Sequence, residues 1–277
     1  MNQAKVLLLP AVFLPPRALE HLGECVDERH VDTPWGRVGP IALRRNDQGV
    51  STYILPYSGH PTRLDPRGTI WAAKTLGVQR VLLWERLVGL DHTLHRGDIV
   101  IPDDYIDWTR RLPTTLFEDR GAGYLSQIPP FCPETHRILR EELERVGGNV
   151  HRGIYIGVDG PRRETPAEAR MYQKWGATVL GMNAIPEVVF TKELELCFGV
   201  LGTVTEIGAD RPPETARGEV RHTLRLILER LAHIVDRLSQ PPTCTCHQSQ
   251  SSARERGLLP EDWRQWRPAT STDQRGE

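Results

Sequence analysis

The sequence predicts an α/β protein whose parallel or mixed sheet is covered by helices on both faces. Two patterns carry this expectation. Short runs of Val, Ile and Leu recur without polar alternation, as in strands buried on both sides. Between them lie amphipathic stretches that open at a proline or a capping residue. At 277 residues the chain can form one large α/β domain or two small ones.

The strands are read in order as Lys5 to Leu9, Ser51 to Leu55, Arg80 to Trp84, Ile99 to Ile101 and Ile154 to Val158. Val179 to Leu180 and Phe198 to Val204 complete the set. Arg67 to Leu76 reads as a helix with Ile70, Ala73 and Leu76 on one face. Glu134 to Val146 starts after Pro133 and stops at Gly147-Gly148, a natural helix terminator. Thr165 to Trp175 and Pro186 to Glu195 each carry proline in the first turn, where a missing N–H does no harm. Glu219 to Leu238 is the last helix; its apolar positions, from Val220 to Leu238, fall at spacings of three and four.

A formal net charge of -1 supplies no general attraction to nucleic acid or an anionic membrane, so any bound anion needs a local site. The apolar runs are too short to span a bilayer, and MNQAKVLLLPAVFLPP fits a buried first strand better than a secretory leader. The five cysteines lack a disulfide-rich pattern. The expected location is therefore cytoplasmic. Cys244-Thr245-Cys246-His247 invites a metal reading, but it lacks the Cys-x2-4-Cys spacing and no second pair is visible, so no metal site is expected. Residues 1–240 read as the domain and 241–277, polar and poor in aliphatics, as a poorly ordered tail. Leu258, Leu259, Trp263 and Trp266 could dock that tail on a neighbour.

The chemistry is concentrated in Gly160-Pro161-Arg162-Arg163-Glu164-Thr165-Pro166, then Trp175-Gly176-Ala177, then Gly181-Met182-Asn183-Ala184-Ile185-Pro186-Glu187-Val188. Taken alone, Glu164 and Thr165 are a helix cap, where exposed N–H groups stabilise a carboxylate. The ordered set resembles the trimeric purine nucleoside phosphorylase and methylthioadenosine phosphorylase family. Asp32-Thr33-Pro34-Trp35-Gly36, Ile70-Trp71-Ala72, Gly97-Asp98-Ile99-Val100 and Pro130-Phe131-Cys132-Pro133 extend the likeness over residues 5–238.

The resemblance implies one domain around a twisted mixed sheet, assembled as trimers or dimers of trimers. It also implies a purine nucleoside, or a 5′-modified adenosine, as the small-molecule partner. The N-glycosidic bond would be cleaved with phosphate as co-substrate and no resident cofactor. By residue, Glu164 matches the base-binding glutamate and Glu206 stands where an Asn or Asp faces N7. Met182 matches the methionine along the ribose, and Asn183 replaces a Ser or Thr that touches phosphate. Arg217 falls near the nucleoside 5′ group, with a plain helix-entry arginine as the simpler reading.

The phosphate elements depart from the pattern. A Gly-Gly-Thr/Ser-Gly turn is replaced by Pro10-Ala11-Val12-Phe13-Leu14, and proline removes an amide donor. An Arg-His-Gly segment is replaced by Tyr57-Ser58-Gly59-His60, and a third element reads Glu85-Arg86-Leu87-Val88-Gly89-Leu90. Arg163 replaces a phenylalanine that packs on the purine. Two readings follow. His60, Arg86 and Arg163, with Glu85 alongside, rebuild an anion site, guanidinium being well suited to phosphate. Alternatively the site has altered chemistry, as a nucleosidase or a silent nucleoside-binding protein. His92 and His95 read as exposed, and Trp108-Thr109-Arg110-Arg111 as a solvated loop or a basic rim.

Overall fold

The computed structural model describes residues 4–15, 17–57, 65–117, 125–211 and 218–259. Its strands are β1 (Val6–Ala11), β2 (Glu24–Thr33), β3 (Gly36–Arg45), β4 (Ser51–Ile54), β5 (Arg80–Gly89) and β6 (Ile99–Val100). They continue with β7 (Asp104–Asp107), β8 (Val150–His151), β9 (Ile154–Gly157), β10 (Val179–Gly181) and β11 (Cys197–Ile207). The helices are α1 (Pro66–Thr75), α2 (Pro133–Glu144), α3 (Pro166–Lys174), α4 (Glu187–Glu193), α5 (Gly218–Leu238) and α6 (Ser251–Glu255).

All the strands join one mixed sheet with the order β2-β3-β4-β1-β5-β10-β9-β7, and β11 pairs β5 and β6. The central strand β5 organises it. Parallel β1 covers residues Arg80 to Glu85 along one edge of β5, antiparallel β10 takes over at Val88 and Gly89, and parallel β11 runs along β5 from Arg80 to Gly89. β5 is buried at every position but Arg86, which explains its unalternating apolar sequence. β5 and β11 are longer than their expected cores. The hairpin β2–β3 escaped the sequence reading because β2 is largely exposed and polar and β3 buries only the separated Val38, Ile41 and Leu43; its turn is the Thr33-Pro34-Trp35-Gly36 segment.

Helix starts follow the local chemistry. The Asp65 carboxylate caps α1 by accepting from Arg67 N at 2.9 Å, with Pro66 next. Thr165 and Glu168 cap α3 reciprocally, with Pro166 in the first turn. α2 is capped by sulfur: Cys132 Sγ accepts from Thr135 N at 3.4 Å. α1 and α4 pack together on one side of the sheet, while α2 and α5 pair against β11 on the other. The core divides accordingly. Leu7, Leu9, Val81, Leu83 and Phe190 sit on the first side, and Val6, Leu8, Leu82, Trp84, Leu139 and Leu231 on the second.

The first part of the expected tail carries structure. A 3-10 turn at Cys246–Gln248 and α6 follow α5, and Ala253 and Leu259 are buried in the core. Leu258 is exposed, and Trp263 and Trp266 lie outside the described residues.

Candidate active site

Three segments converge beside the carboxyl-terminal half of β5, where antiparallel β10 pairs with Val88 and Gly89 and parallel β11 sets Glu206 against Val88. β9 leads into the turn Gly160-Pro161, which delivers Arg163 and Glu164 ahead of α3. β10 leads into Met182 and Asn183. β11 carries Glu206, just beyond a register shift against β5 that leaves Thr205 unpaired and re-aims the strand end.

Glu164 and Glu206 are joined by one arginine. Arg163 Nη2 lies 2.9 Å from Glu164 Oε1, and Arg163 Nη1 lies 2.5 Å from Glu206 Oε2. Nη2 also donates to Ile207 O at 3.0 Å, and Ala209 N donates to Glu164 Oε1 at 3.0 Å. The Glu164 side chain is 1% exposed and its Oε2 has no hydrogen-bond partner, whereas the Glu206 side chain is 40% exposed. A buried carboxylate oxygen without a donor is costly unless a ligand supplies one.

Met182 stands beside the Gly160 turn. Gly160 has φ +62, and a Cβ there would lie 2.5 Å from Met182 Sδ, so glycine serves both the backbone and the close approach. Glu164 and Gly160 line one cleft of about 460 Å³ with Trp108, Arg110 and Leu180. Glu206, Arg163 and Arg86 line a second, of about 550 Å³, with Arg96 and Arg211. Arg163 and Glu164 are consecutive, so one loop contributes to both clefts, with Glu164 and Glu206 lining different ones. The loop read as a basic rim thus borders the first cleft, with the Arg110 guanidinium 4.8 Å from the Trp108 ring. His92 and His95 are exposed, as expected.

Glu85, expected among the substrate contacts, lies beneath them instead. It is 1% exposed; its Oε1 accepts from Met182 N at 2.7 Å, Asn183 N at 3.0 Å and Asn183 Nδ2 at 2.6 Å, and its Oε2 accepts from Tyr155 OH at 2.9 Å. Burial raises its pKa against the lowering effect of these donors. It therefore fixes the Met182-Asn183 backbone. Tyr155, read from sequence only as a strand residue, completes this support by accepting from Asn183 N and Ala184 N. A tyrosine in a run of apolar strand residues was the available signal, since a buried hydroxyl needs a partner.

The altered phosphate elements have a definite arrangement. Phe13 is 77% exposed, with the Arg86 guanidinium 4.4 Å from its ring centroid. Tyr57, in place of the arginine, is buried and donates its hydroxyl to Glu187 Oε1. His60 and Arg217 lie outside the described residues. Of the three groups expected to rebuild an anion site, Arg86 and Arg163 share a cleft. Arg96 and Arg211 join them, which spacing alone did not reveal.

A carboxylate pair bridged by Arg163 thus borders an arginine-lined cleft. The phosphorylase superfamily model matches residues 12–240. Over 244 residues the chain is 32% identical to the probable 6-oxopurine nucleoside phosphorylase of Dictyoglomus turgidum, covering 84% of this chain and 92% of that one. It is 32% identical to the probable S-methyl-5′-thioinosine phosphorylase of Methanopyrus kandleri, over 81% of this chain and 91% of that one. The crystal structure of a methylthioadenosine phosphorylase sourced from an antarctic soil metagenomic library superimposes with a TM-score of 0.79 at 25% identity, covering 94% of this chain and 100% of that one. The protein belongs to the phosphorylase superfamily.

Proposed function

We propose that the protein cleaves the N-glycosidic bond of purine nucleosides by phosphorolysis and prefers 6-oxopurines. The observation that carries the preference is the unpartnered, buried Oε2 of Glu164. A 6-oxopurine offers an N1–H donor to that oxygen; a 6-aminopurine presents a lone pair at N1 and can meet the oxygen only through its exocyclic N6–H. In this reading phosphate oxygen attacks C1′, the C1′–N9 bond breaks, and its electron pair passes into the purine. Glu206 stands at N7: as the acid it donates a proton there, and as the carboxylate it accepts from an N7 already protonated. Met182 packs along the ribose. Arg163, held at both ends by carboxylates, keeps the faces of its guanidinium available for stacking where the family has phenylalanine. Arg86 and Asn183 serve the acceptor, for which the arginine-lined cleft gives support. Glu85 positions rather than binds.

The protein is also proposed to act in the cytoplasm as a trimer or dimer of trimers. Among the described residues no helix is long and apolar enough to cross a membrane, and the exposed Phe13 and Ile128 side chains would gain from a covering subunit. The deciding assay incubates inosine, adenosine and their 5′-methylthio analogues with and without phosphate, following free base and ribose 1-phosphate. Hypoxanthine released faster than adenine, only with phosphate and with matching sugar phosphate, is the expected result. Free pentose without phosphate would make the protein a nucleosidase, and no release from any nucleoside would end the catalytic reading.

A further inference from the structure

Four of the five cysteines meet far apart in sequence but together in space. Cys132 caps α2, Cys197 opens β11, and Cys244 and Cys246 follow α5. Their four sulfur atoms all lie within 4.8 Å of one another, and Cys132 and Cys197 are buried. The pair missing from a reading of Cys244-x-Cys246 alone is Cys132 and Cys197, brought together because Cys132 N donates to Phe198 O at 2.9 Å.

We propose that this cluster is a structural metal site that takes one zinc ion through four thiolates. All four sulfurs are mutually close, as one tetrahedral ion requires; two separate disulfides would require only two close pairs. Tetrahedral zinc with Zn–S near 2.3 Å places sulfurs about 3.8 Å apart. The Cys197 to Cys244 separation is 3.3 Å, between that spacing and the roughly 2.05 Å of a disulfide. Four soft donors, with no fifth His, Cys, Asp or Glu in the cluster among the described residues, describe a closed site for zinc rather than a catalytic one.

The surroundings suit an anionic cluster. Thr135 N donates to Cys132 Sγ at the positive end of α2. The half-buried Lys192 ammonium, which donates to Ser126 O and Pro129 O, faces Cys246 electrostatically. Binding converts thiols to thiolates and releases their protons to solvent.

The consequence is mechanical. Glu134 Oε2 accepts from Thr243 N at 2.9 Å and Cys244 N at 3.2 Å, aiming the Cys-x-Cys segment at α2. Beyond it, Gln250 Nε2 donates to Glu193 O and Arg254 pairs with Glu195 at 2.6 Å. The ion would staple the chain after α5 to the starts of α2 and β11. Cys197 opens β11 whereas Glu206 lies at that strand's far end, and the metal site does not depend on the proposed reaction.

The test is metal analysis of the full chain purified under reducing conditions without chelator. The expected result is about one zinc per chain. Replacement by cobalt(II) is expected to give thiolate charge-transfer absorption and the intense visible bands of a tetrahedral site, a readout that needs no variant. Cys244→Ser and Cys246→Ser should each lower bound zinc about tenfold, whereas Cys25→Ser, at an exposed cysteine outside the cluster, should retain it. A chelator should lower Tm of the wild type and leave that of the Cys244→Ser, Cys246→Ser double variant unchanged. Metal-free protein with disulfides among these four residues, or with four freely alkylated thiols in the presence of added zinc, overturns the proposal.

Discussion

Arg163 holds Glu206 at 2.5 Å with one guanidinium nitrogen and Glu164 at 2.9 Å with the other. Two acidic side chains, one from the loop before α3 and one from β11, are thereby fixed at one spacing. Without a cation between them they would repel, and the loop after β9 would lose its tie to Ile207 O at 3.0 Å.

The first prediction tests that clasp. Arg163→Met removes the charge and both hydrogen-bonding arms; Arg163→Lys keeps the charge but cannot span two carboxylates. Both variants should lose about tenfold or more in kcat/KM for inosine, with Lys recovering little, because geometry rather than charge is being supplied. Arg163 is half-exposed, so Tm should fall by only a few degrees. Steady-state kinetics of the two variants checks this, and wild-type kinetics from either would remove the clasp from the site.

A second prediction concerns pH. Burial pushes the Glu187 carboxyl up to about 8, and Glu85 and Asp65 nearby add to the rise while the Tyr57 hydroxyl opposes it. Burial likewise raises Glu193 to about 7, against donors from Thr115 and Leu116 N. Both would titrate near 4.5 when unfolded. Across that window the folded chain holds protons that the unfolded chain has lost, so stability falls as pH rises from about 5 to about 8. Each carboxyl contributes up to about 1.4 kcal/mol per pH unit within its window. Glu187→Gln and Glu193→Gln should each flatten the fall of denaturant-measured stability with pH, and the double variant should flatten it most. An unchanged slope in both single variants would show that neither carboxyl is protonated in the fold.

These two carboxyls mark what sequence could and could not disclose. Helix starts at Pro66, Pro133 and Pro166 were legible because capping is local. Buried strands such as Val6–Ala11 were legible because coverage on both faces removes alternation. The hairpin β2–β3 was not, since β2 is exposed and polar and the few buried residues of β3 make no continuous apolar run. Glu164, Glu206 and Met182 are singled out by motif order, and the fold brings the two glutamates onto one arginine. The support from Tyr155 and Glu85, the arginines Arg96 and Arg211, and the meeting of Cys132 with Cys246 depend on register and chain crossing. No spacing along one segment encodes those. Burial of Glu187 was equally hidden, because it follows from how α4 packs on α1.

The third prediction addresses the layer under the site. The Tyr155 hydroxyl donates to Glu85 Oε2 at 2.9 Å and accepts from Asn183 N at 3.2 Å and Ala184 N at 3.3 Å, all in a dry interior. Tyr155→Phe leaves a carboxylate oxygen and two amides without this partner, at about 1–3 kcal/mol for each group that finds no substitute. The segment carrying Met182 and Asn183 should loosen, so kcat should fall more than KM rises, because a positioning defect weakens the transition state more than initial binding. Gly181→Ala tests the same contact without deleting the hydroxyl: its Cβ would lie 2.3 Å from Tyr155 Oη and must push it aside. Matching kinetic losses in the two variants, with Tm of each still well above the assay temperature, would assign the layer a role in positioning the site. A fall in Tm with kcat and KM both unchanged would reduce it to fold support alone.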